Sequence, residues 1–268
     1  MNVSSDSARS SAPVVLCIGG HDPSGAGLQA DIETCAALDC LALSVVTALT
    51  QQNTARVLAI QPQAATALSA QIELLLEDFS VDACKLGLLP TVAQIEALSV
   101  LLNGPLAGCP LVVDPLLRAG SGGDLVQERI EAAFIERLLP RATVLTPNRA
   151  EALHYAGCTE SDDALTALMS KGCQAILLTD SRSGGDTIEN ILQVAGEPTR
   201  SYAMARFDGE YHGTGCTLAT AIACGLARGE RLEVAVERAQ AFVHRAVAEA
   251  WRPGSAQHLP RRYRGLLP

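Results

Sequence analysis

The chain has 268 residues, of which 48% are hydrophobic and 3% aromatic, and a formal net charge of −9. So few aromatics and so acidic a balance exclude base-stacking platforms and general phosphate-backbone binding, so no nucleic-acid partner is expected. A local anion site made of backbone amides stays open.

The Ser-rich segment 1–12 is expected to be disordered and has no apolar signal core. A strand at 13–18 follows, then a Gly-rich loop at 19–27 and a helix at 28–38. Strands are expected at 43–49 and 57–60, a helix at 64–79, a short strand at 83–86 and a helix at 92–102. The run 111–113 is a strand ending at Asp114-Pro115. Residues 127–139 are helical, and 143–145 form a strand ending at Thr146-Pro147. Helices at 149–156 and 164–170 precede a strand at 175–178. An antiparallel hairpin is expected from 190–194 and 200–205, then helices at 217–227 and 232–251. Strands alternating with helices give an α/β domain over 13–251, a mostly parallel sheet covered on both faces. Residues 252–268, with four Arg and three Pro, read as a surface extension.

No run approaches the ~18 apolar residues of a membrane span, so the expectation is a cytoplasmic protein without a membrane partner. The nine Cys are odd in number and lack CxxC spacing, which disfavours a disulfide framework or a zinc site. They read as small core residues in a reducing compartment.

Polar punctuation falls at strand ends: Gly19 to Asp22, Gln52-Asn53, Lys85 to Gly87, Asp114, Thr146 to Asn148 and Thr179-Asp180. In open α/β sheets ligands bind beyond those ends, so one rim collects these residues. The sharpest motif is His212-Gly213-Thr214-Gly215-Cys216 at the head of a helix. Two glycines let successive N–H groups point at one spot, and the helix dipole favours negative charge there. That geometry suits a transferring phosphoryl group. The same spacing equally describes an ordinary glycine turn before a helix. A Cys at a helix N-terminus is expected to have a lowered pKa. The loop Gly19-Gly20-His21-Asp22-Pro23-Ser24-Gly25-Ala26-Gly27 matches neither a dinucleotide fingerprint nor a Walker motif.

The string I-G-G-H-D-P-S-G-A-G-L-Q-A-D-I-E-T at 18–34 resembles the opening of the hydroxymethylpyrimidine/phosphomethylpyrimidine kinases of the ribokinase superfamily. V-T-A-L-T-Q-Q-N-T at 46–54, K-L-G-L-L at 85–89 and V-V-D-P at 112–115 follow in family order. So do L-L-P-R-A-T-V-L-T-P-N-x-x-E-A at 138–152 and H-G-T-G-C-T-L at 212–218. The resemblance spans residues 14–251. It implies a ribokinase-like fold and ATP- and Mg2+-dependent phosphorylation of 4-amino-5-hydroxymethyl-2-methylpyrimidine, and of its monophosphate, in thiamine biosynthesis.

The resemblance also implies roles. Gln52 reads the pyrimidine, since an amide pairs with an exocyclic amine and a ring nitrogen together. Asp31 lines the same pocket, Gly20 brings backbone close to the ligand, and Leu88 packs on the ring. On the residues alone, Gln52 and Asp31 read as local hydrogen-bonding groups and Leu88 as core. Asn148, Thr179 and Arg118 fall at ATP-binding positions, and Glu151 and Asp114 at metal-binding ones. Cys216, with Gly213, Thr214 and Gly215, forms the catalytic loop, and Cys216→Ala is expected to cut the rate deeply with little loss of folding. Family members are often dimeric, so a homodimer is one expectation.

Three departures from the family pattern stand out. The loop Asp22-Pro23-Ser24-Gly25-Ala26-Gly27 lacks one Gly. Thr179 stands where a Lys is common, with Asp180 adding negative charge and Arg182 near it. The loop after Asp114 has Gly120 in place of a Lys, with Arg118 close by. The Gly-rich stretch 120–123 is the segment expected to close over the site. The lost Lys and Gly motivate one alternative, a non-catalytic pyrimidine sensor on the same fold; pyridoxal kinase activity on a similar flat heterocycle and a Cys–His thiol hydrolase using Cys216 and His212 are the others.

Overall fold

The computed structural model describes residues 12–117, 129–181 and 185–263. The expectations for Arg118, Gly120, the 120–123 stretch, Arg182 and the 1–11 and 264–268 ends lie outside the described residues.

Nine strands form one sheet: β1 (Val14–His21), β2 (Leu41–Gln52), β3 (Val57–Pro62), β4 (Ala83–Leu86), β5 (Leu111–Val113), β6 (Val144–Leu145), β7 (Ala175–Leu178), β8 (Thr187–Val194) and β9 (Arg200–Ala205). Their order is β3-β2-β1-β4-β5-β6-β7-β8-β9. Strands β2, β1, β4, β5, β6 and β7 pair in parallel, while β3, β8 and β9 add antiparallel edges. The chain leaves β1 toward β2 on one side and returns to β4 on the other. That reversal opens a crevice at the strands' C-terminal ends.

The strand period of two divides the core. Leu16, Ile18, Leu111, Val113, Ile176 and Leu178 face one layer with α2 (Ala65–Asp78), α3 (Val92–Asn103), α5 (Arg149–Ala156) and α6 (Ser161–Ser170). Val15, Cys17, Val112, Ala175 and Leu177 face the other, against α1 (Gly27–Ala37), α7 (Thr214–Ala227) and α8 (Leu232–Ala248). Strands apolar on both faces explain the unbroken apolar runs of the sequence. All nine cysteines are free thiols, and all but Cys109 and Cys158 are buried.

Local chemistry sets several ends. Thr91 caps α3 by accepting from the Gln94 N–H. Asn148 and Glu151 form a reciprocal capping box on α5, which ends at Gly157 in the left-handed region. The expected 127–139 helix departs from the pattern: its described part is one α-turn, α4 (Glu131–Ala133). This widens through Phe134–Leu138 and tightens through Leu139–Arg141 at Pro140.

The tail corrects the expected surface extension. Trp251 and Leu259 exchange backbone hydrogen bonds of 3.1 and 2.8 Å, and Arg261 N–H donates to Ala246 at 2.8 Å. Gln257 and Arg262 are buried. The segment folds back beneath the head of α7. No helix among the described residues is long and apolar enough to cross a membrane.

Candidate active site

A cavity of about 690 Å3 opens at the crevice. Its walls come from the C-terminal ends of β1 (Gly20, Asp22), β2 (Gln52), β4 (Lys85, Leu88), β5 (Asp114), β6 (Asn148, Glu151) and β7 (Thr179), and from the head of α7.

The head of α7 supplies the anion end. Gly213 sits at φ 80°, ψ 15° and serves as the N-cap. A side chain there would be strained in that backbone region and would press on Gly25 and Ala26 of the facing loop. The first intrahelical bond runs from Thr217 N–H to Gly213 at 3.0 Å, so the amides of Thr214, Gly215 and Cys216 carry none of the regular helical bonds. Gly213, Thr214, Gly215 and Cys216 all line the cavity. The helix dipole and the free amides make this end receptive to phosphate.

Cys216 is brought to this place, but its chemistry is corrected. Burial raises the thiol well above its ordinary pKa, against the lowering effect of Lys85. Desolvation outweighs the helix dipole here, because the side chain is only 4% exposed. Cys216 is a neutral thiol. The Cys–His hydrolase arrangement is also absent. His212 Nε2 lies 2.5 Å from Asp22 Oδ2, 3.3 Å from Ser24 Oγ and 3.4 Å from Gln52 Nε2.

That cluster orders the substrate side. Asp22 Oδ2 accepts from Gln52 Nε2 at 2.5 Å, and its Oδ1 accepts from the Ser24 N–H and hydroxyl at 2.7 and 2.6 Å. Burial opposes the Asp22 charge, but the His212 and Ser24 hydrogen bonds prevail and hold its pKa below the usual carboxylate value. With Nε2 held by Asp22, Gln52 presents Oε1 as its acceptor. Gly20 faces Leu88, where a Cβ would come within 2.8 Å of the Leu88 side chain, so both sequence-derived positions meet at one wall. The shortened loop still closes. Gly25 and Gly27 take φ of 109° and 52°, and a Cβ on Gly27 would collide with the Gly20 carbonyl.

Asp31 does not line the cavity, contrary to expectation. It is fully buried beneath it, 2.9 Å from Lys85 Nζ, and accepts from Thr220 Oγ1 at 2.7 Å. The residue that reaches the cavity from that pair is Lys85. Burial opposes its charge, yet the carboxylate of Asp31 prevails and raises its pKa above the ordinary lysine value. A Lys inside the apolar strand run Ala83-Cys84-Lys85-Leu86 is the sequence signal for this role.

Asp114 and Glu151 both line the cavity. Burial raises Asp114, and Lys85 only partly offsets it. Burial and then repulsion from Asp114 push Glu151 up to about 8. Among the described residues, Asp114 Oδ2 is buried without a hydrogen-bond partner. Asn148 and Thr179 meet in a parallel bridge at the rim, with Thr179 N–H donating to Pro147 at 2.9 Å. The acidic Asp180 is answered by Arg206, whose Nη2 lies 2.6 Å from Oδ1.

A family model described as phosphomethylpyrimidine kinase matches residues 22–261. The hydroxymethylpyrimidine/phosphomethylpyrimidine kinase of Rhizobium meliloti is 37% identical over 245 residues, covering 88% of this chain and 91% of that protein. The enzyme of the same name from Bacillus subtilis is 34% identical, with coverages of 90% and 91%. Among solved structures, an ADP complex of Bacillus subtilis pyridoxal kinase superposes with a TM-score of 0.85 at 26% identity, over 94% of this chain and 98% of that one. The phosphomethylpyrimidine kinase of Clostridium difficile does so with a TM-score of 0.75 at 30% identity, over 87% and 99%. The anion-receptive helix head, the paired carboxylates and a match that runs nearly from end to end agree: the chain is a kinase of ribokinase-like fold and belongs to the phosphomethylpyrimidine kinase family.

Proposed function

We propose that the chain transfers the γ-phosphoryl group of ATP to the hydroxymethyl oxygen of 4-amino-5-hydroxymethyl-2-methylpyrimidine, and then phosphorylates the monophosphate. The observation that carries this reading is one cavity that holds both the Gln52 amide, oriented by Asp22, and the free amides at the head of α7. Gln52 Oε1 accepts from the 4-amino group, while Leu88 and Gly20 bound the ring. This places the hydroxymethyl arm toward Gly215 and Cys216. Asn148 and Thr179 lie on the nucleotide side.

Phosphoryl transfer of this kind is mostly positioning and charge stabilisation. The amides of Thr214 to Cys216 receive the charge of the transferring group, with the Lys85 ammonium beneath them. A neutral Cys216 fits a loose transition state, in which the attacking hydroxyl keeps its proton until the bond from the γ-phosphorus to the leaving ADP has largely broken and then passes it to an oxygen of the transferred phosphoryl group. Two repelling carboxylates, one with a bare buried oxygen, fit Mg2+, which needs only one or two carboxylates beside substrate phosphates. Asp114 and Glu151 would hold it, and the ion would neutralise charge on the β- and γ-phosphates.

A second reading has its own support. The fold superposes on the Staphylococcus aureus pyridoxal kinase solved with AMP-PCP and pyridoxal with a TM-score of 0.83, above the 0.75 of the Clostridium difficile enzyme. Pyridoxal is also a flat nitrogen heterocycle with a hydroxymethyl arm. The test is competition of the two substrates for limiting enzyme. Dominant phosphorylation of the aminopyrimidine supports the first reading, and dominant pyridoxal phosphate formation replaces it with the second. The sensor reading, motivated by the missing Lys at Thr179 and the missing loop Gly, predicts ligand binding without ATP turnover.

A further inference from the structure

The tail that folds beneath the head of α7 carries a buried cation. The Arg262 side chain is 1% exposed and does not line the cavity. Its guanidinium binds three elements at once. Nε donates to Thr217 Oγ1 at 2.8 Å, Nη1 to Glu33 Oε2 of α1 at 2.8 Å, and Nη2 to the His212 carbonyl at 3.5 Å. Thr217 Oγ1 in turn donates to the Gly213 carbonyl at 2.7 Å. A Cβ built on Gly213 would lie 2.6 Å from Nη2, so the loop backbone rests directly on the guanidinium. The tail also takes the preceding peptide unit of the same residue, since His212 N–H donates to the His258 carbonyl at 2.8 Å. His212 is therefore held by the tail at both its N–H and its carbonyl.

We infer that Arg262 is a positioning residue for the phosphoryl-binding loop at the head of α7. It fixes the peptide units of His212 and Gly213 from behind, so that the amides of Thr214 to Cys216 keep one orientation, and it adds a buried positive charge beneath them. Only a planar fork with five donors can reach Thr217, Glu33 and His212 together; an ammonium on a flexible stem cannot. The family match ends at residue 261, one short of this side chain. The inference rests on the kinase reading, because it assigns the loop to phosphoryl binding.

The test compares wild type with Arg262→Ala, Arg262→Lys and, as a control on the same tail, Arg261→Ala. Arg261 lies over the exposed ring of Trp251 and does not reach the loop. Small misplacements of a positioned group cost one to two orders of magnitude in rate, so Arg262→Ala should lower kcat by about tenfold or more. The KM for the pyrimidine should move by less than about threefold, because Gln52 and Leu88 are untouched. Arg262→Lys should fall near Arg262→Ala, free guanidinium ion should restore part of the lost kcat, and Arg261→Ala should match wild type. The Mg2+ complex of AMP-PCP should bind more weakly to Arg262→Ala than to wild type, while AMP binds equally to both. Wild-type kcat and AMP-PCP affinity in folded Arg262→Ala would overturn the inference and leave the kinase reading standing. If Arg262→Ala does not fold, Glu33→Gln, which leaves the guanidinium in place with one weakened partner, should lower kcat at unchanged pyrimidine KM. Unchanged kcat there overturns the inference too. Wild-type protein that neither phosphorylates nor binds AMP-PCP overturns the kinase reading, and the inference falls with it.

Discussion

At the scale of single residues, the site is governed by desolvation. Cys216 sits at a helix head that ordinarily lowers a thiol pKa, yet burial wins and the thiol stays protonated. The kcat of the kinase should therefore show no limb from thiolate formation across neutral pH, and native protein should alkylate at Cys216 far more slowly than unfolded protein. A rate that climbs with thiolate formation and is lost in Cys216→Ala would contradict this. Lys85 and Asp31 are a fully buried pair, and removing one partner strands the other. Lys85→Met should cost about 3–5 kcal/mol of stability by urea unfolding. Glu151 gives a signed pH effect. Its folded pKa, about 8, lies above the ordinary 4.5, so the folded state holds the extra proton between those values. Stability without metal should fall as pH rises through that window, and Glu151→Gln should flatten the slope. Mg2+ should raise the Tm more at the upper end of the window than at the lower; equal shifts would contradict a carboxylate pair built for a cation. None of these pairings is legible in the sequence as a pairing. Asp31 and Lys85 are 54 residues apart and Asp22 and His212 are 190 apart, so only the fold shows that they touch. The lysine inside an apolar strand is the one local sign.

At the scale of elements, much of the architecture is legible. Apolar runs bounded by polar strand ends read directly as Ala83–Leu86, Leu111–Val113 and Ala175–Leu178, and the N-x-x-E box marks the start of Arg149–Ala156. The head of α7 is visible as two glycines around a Thr, but not the reason Gly213 must be a glycine. Its φ of 80° and the pressure of Arg262 and Gly25 on any Cβ both come from distant segments. Gly213→Ala should therefore lower both Tm and kcat. Gly20→Ala meets only the end of the Leu88 side chain, so it should leave Tm nearly unchanged and raise the pyrimidine KM. A Gly20→Ala variant with normal KM would remove that wall from the substrate site.

At the scale of the whole molecule, one sheet with a reversal at β1 and β4 gathers residues from six strand ends and a helix head into one cavity. The rim is legible because ligand sites in such sheets lie beyond the strand ends. The tail is not, because a short polar segment with several Arg and Pro carries no periodicity. Two features of the departing segments meet local answers. Gly25 and Gly27 close the shortened loop, and Arg206 pairs with Asp180. The account therefore predicts full rather than residual catalysis. The most direct measurement is incubation of the purified protein with MgATP and 4-amino-5-hydroxymethyl-2-methylpyrimidine, with products followed by mass. The account predicts the monophosphate first and the diphosphate after it. Pyrimidine binding with neither product formed would contradict it.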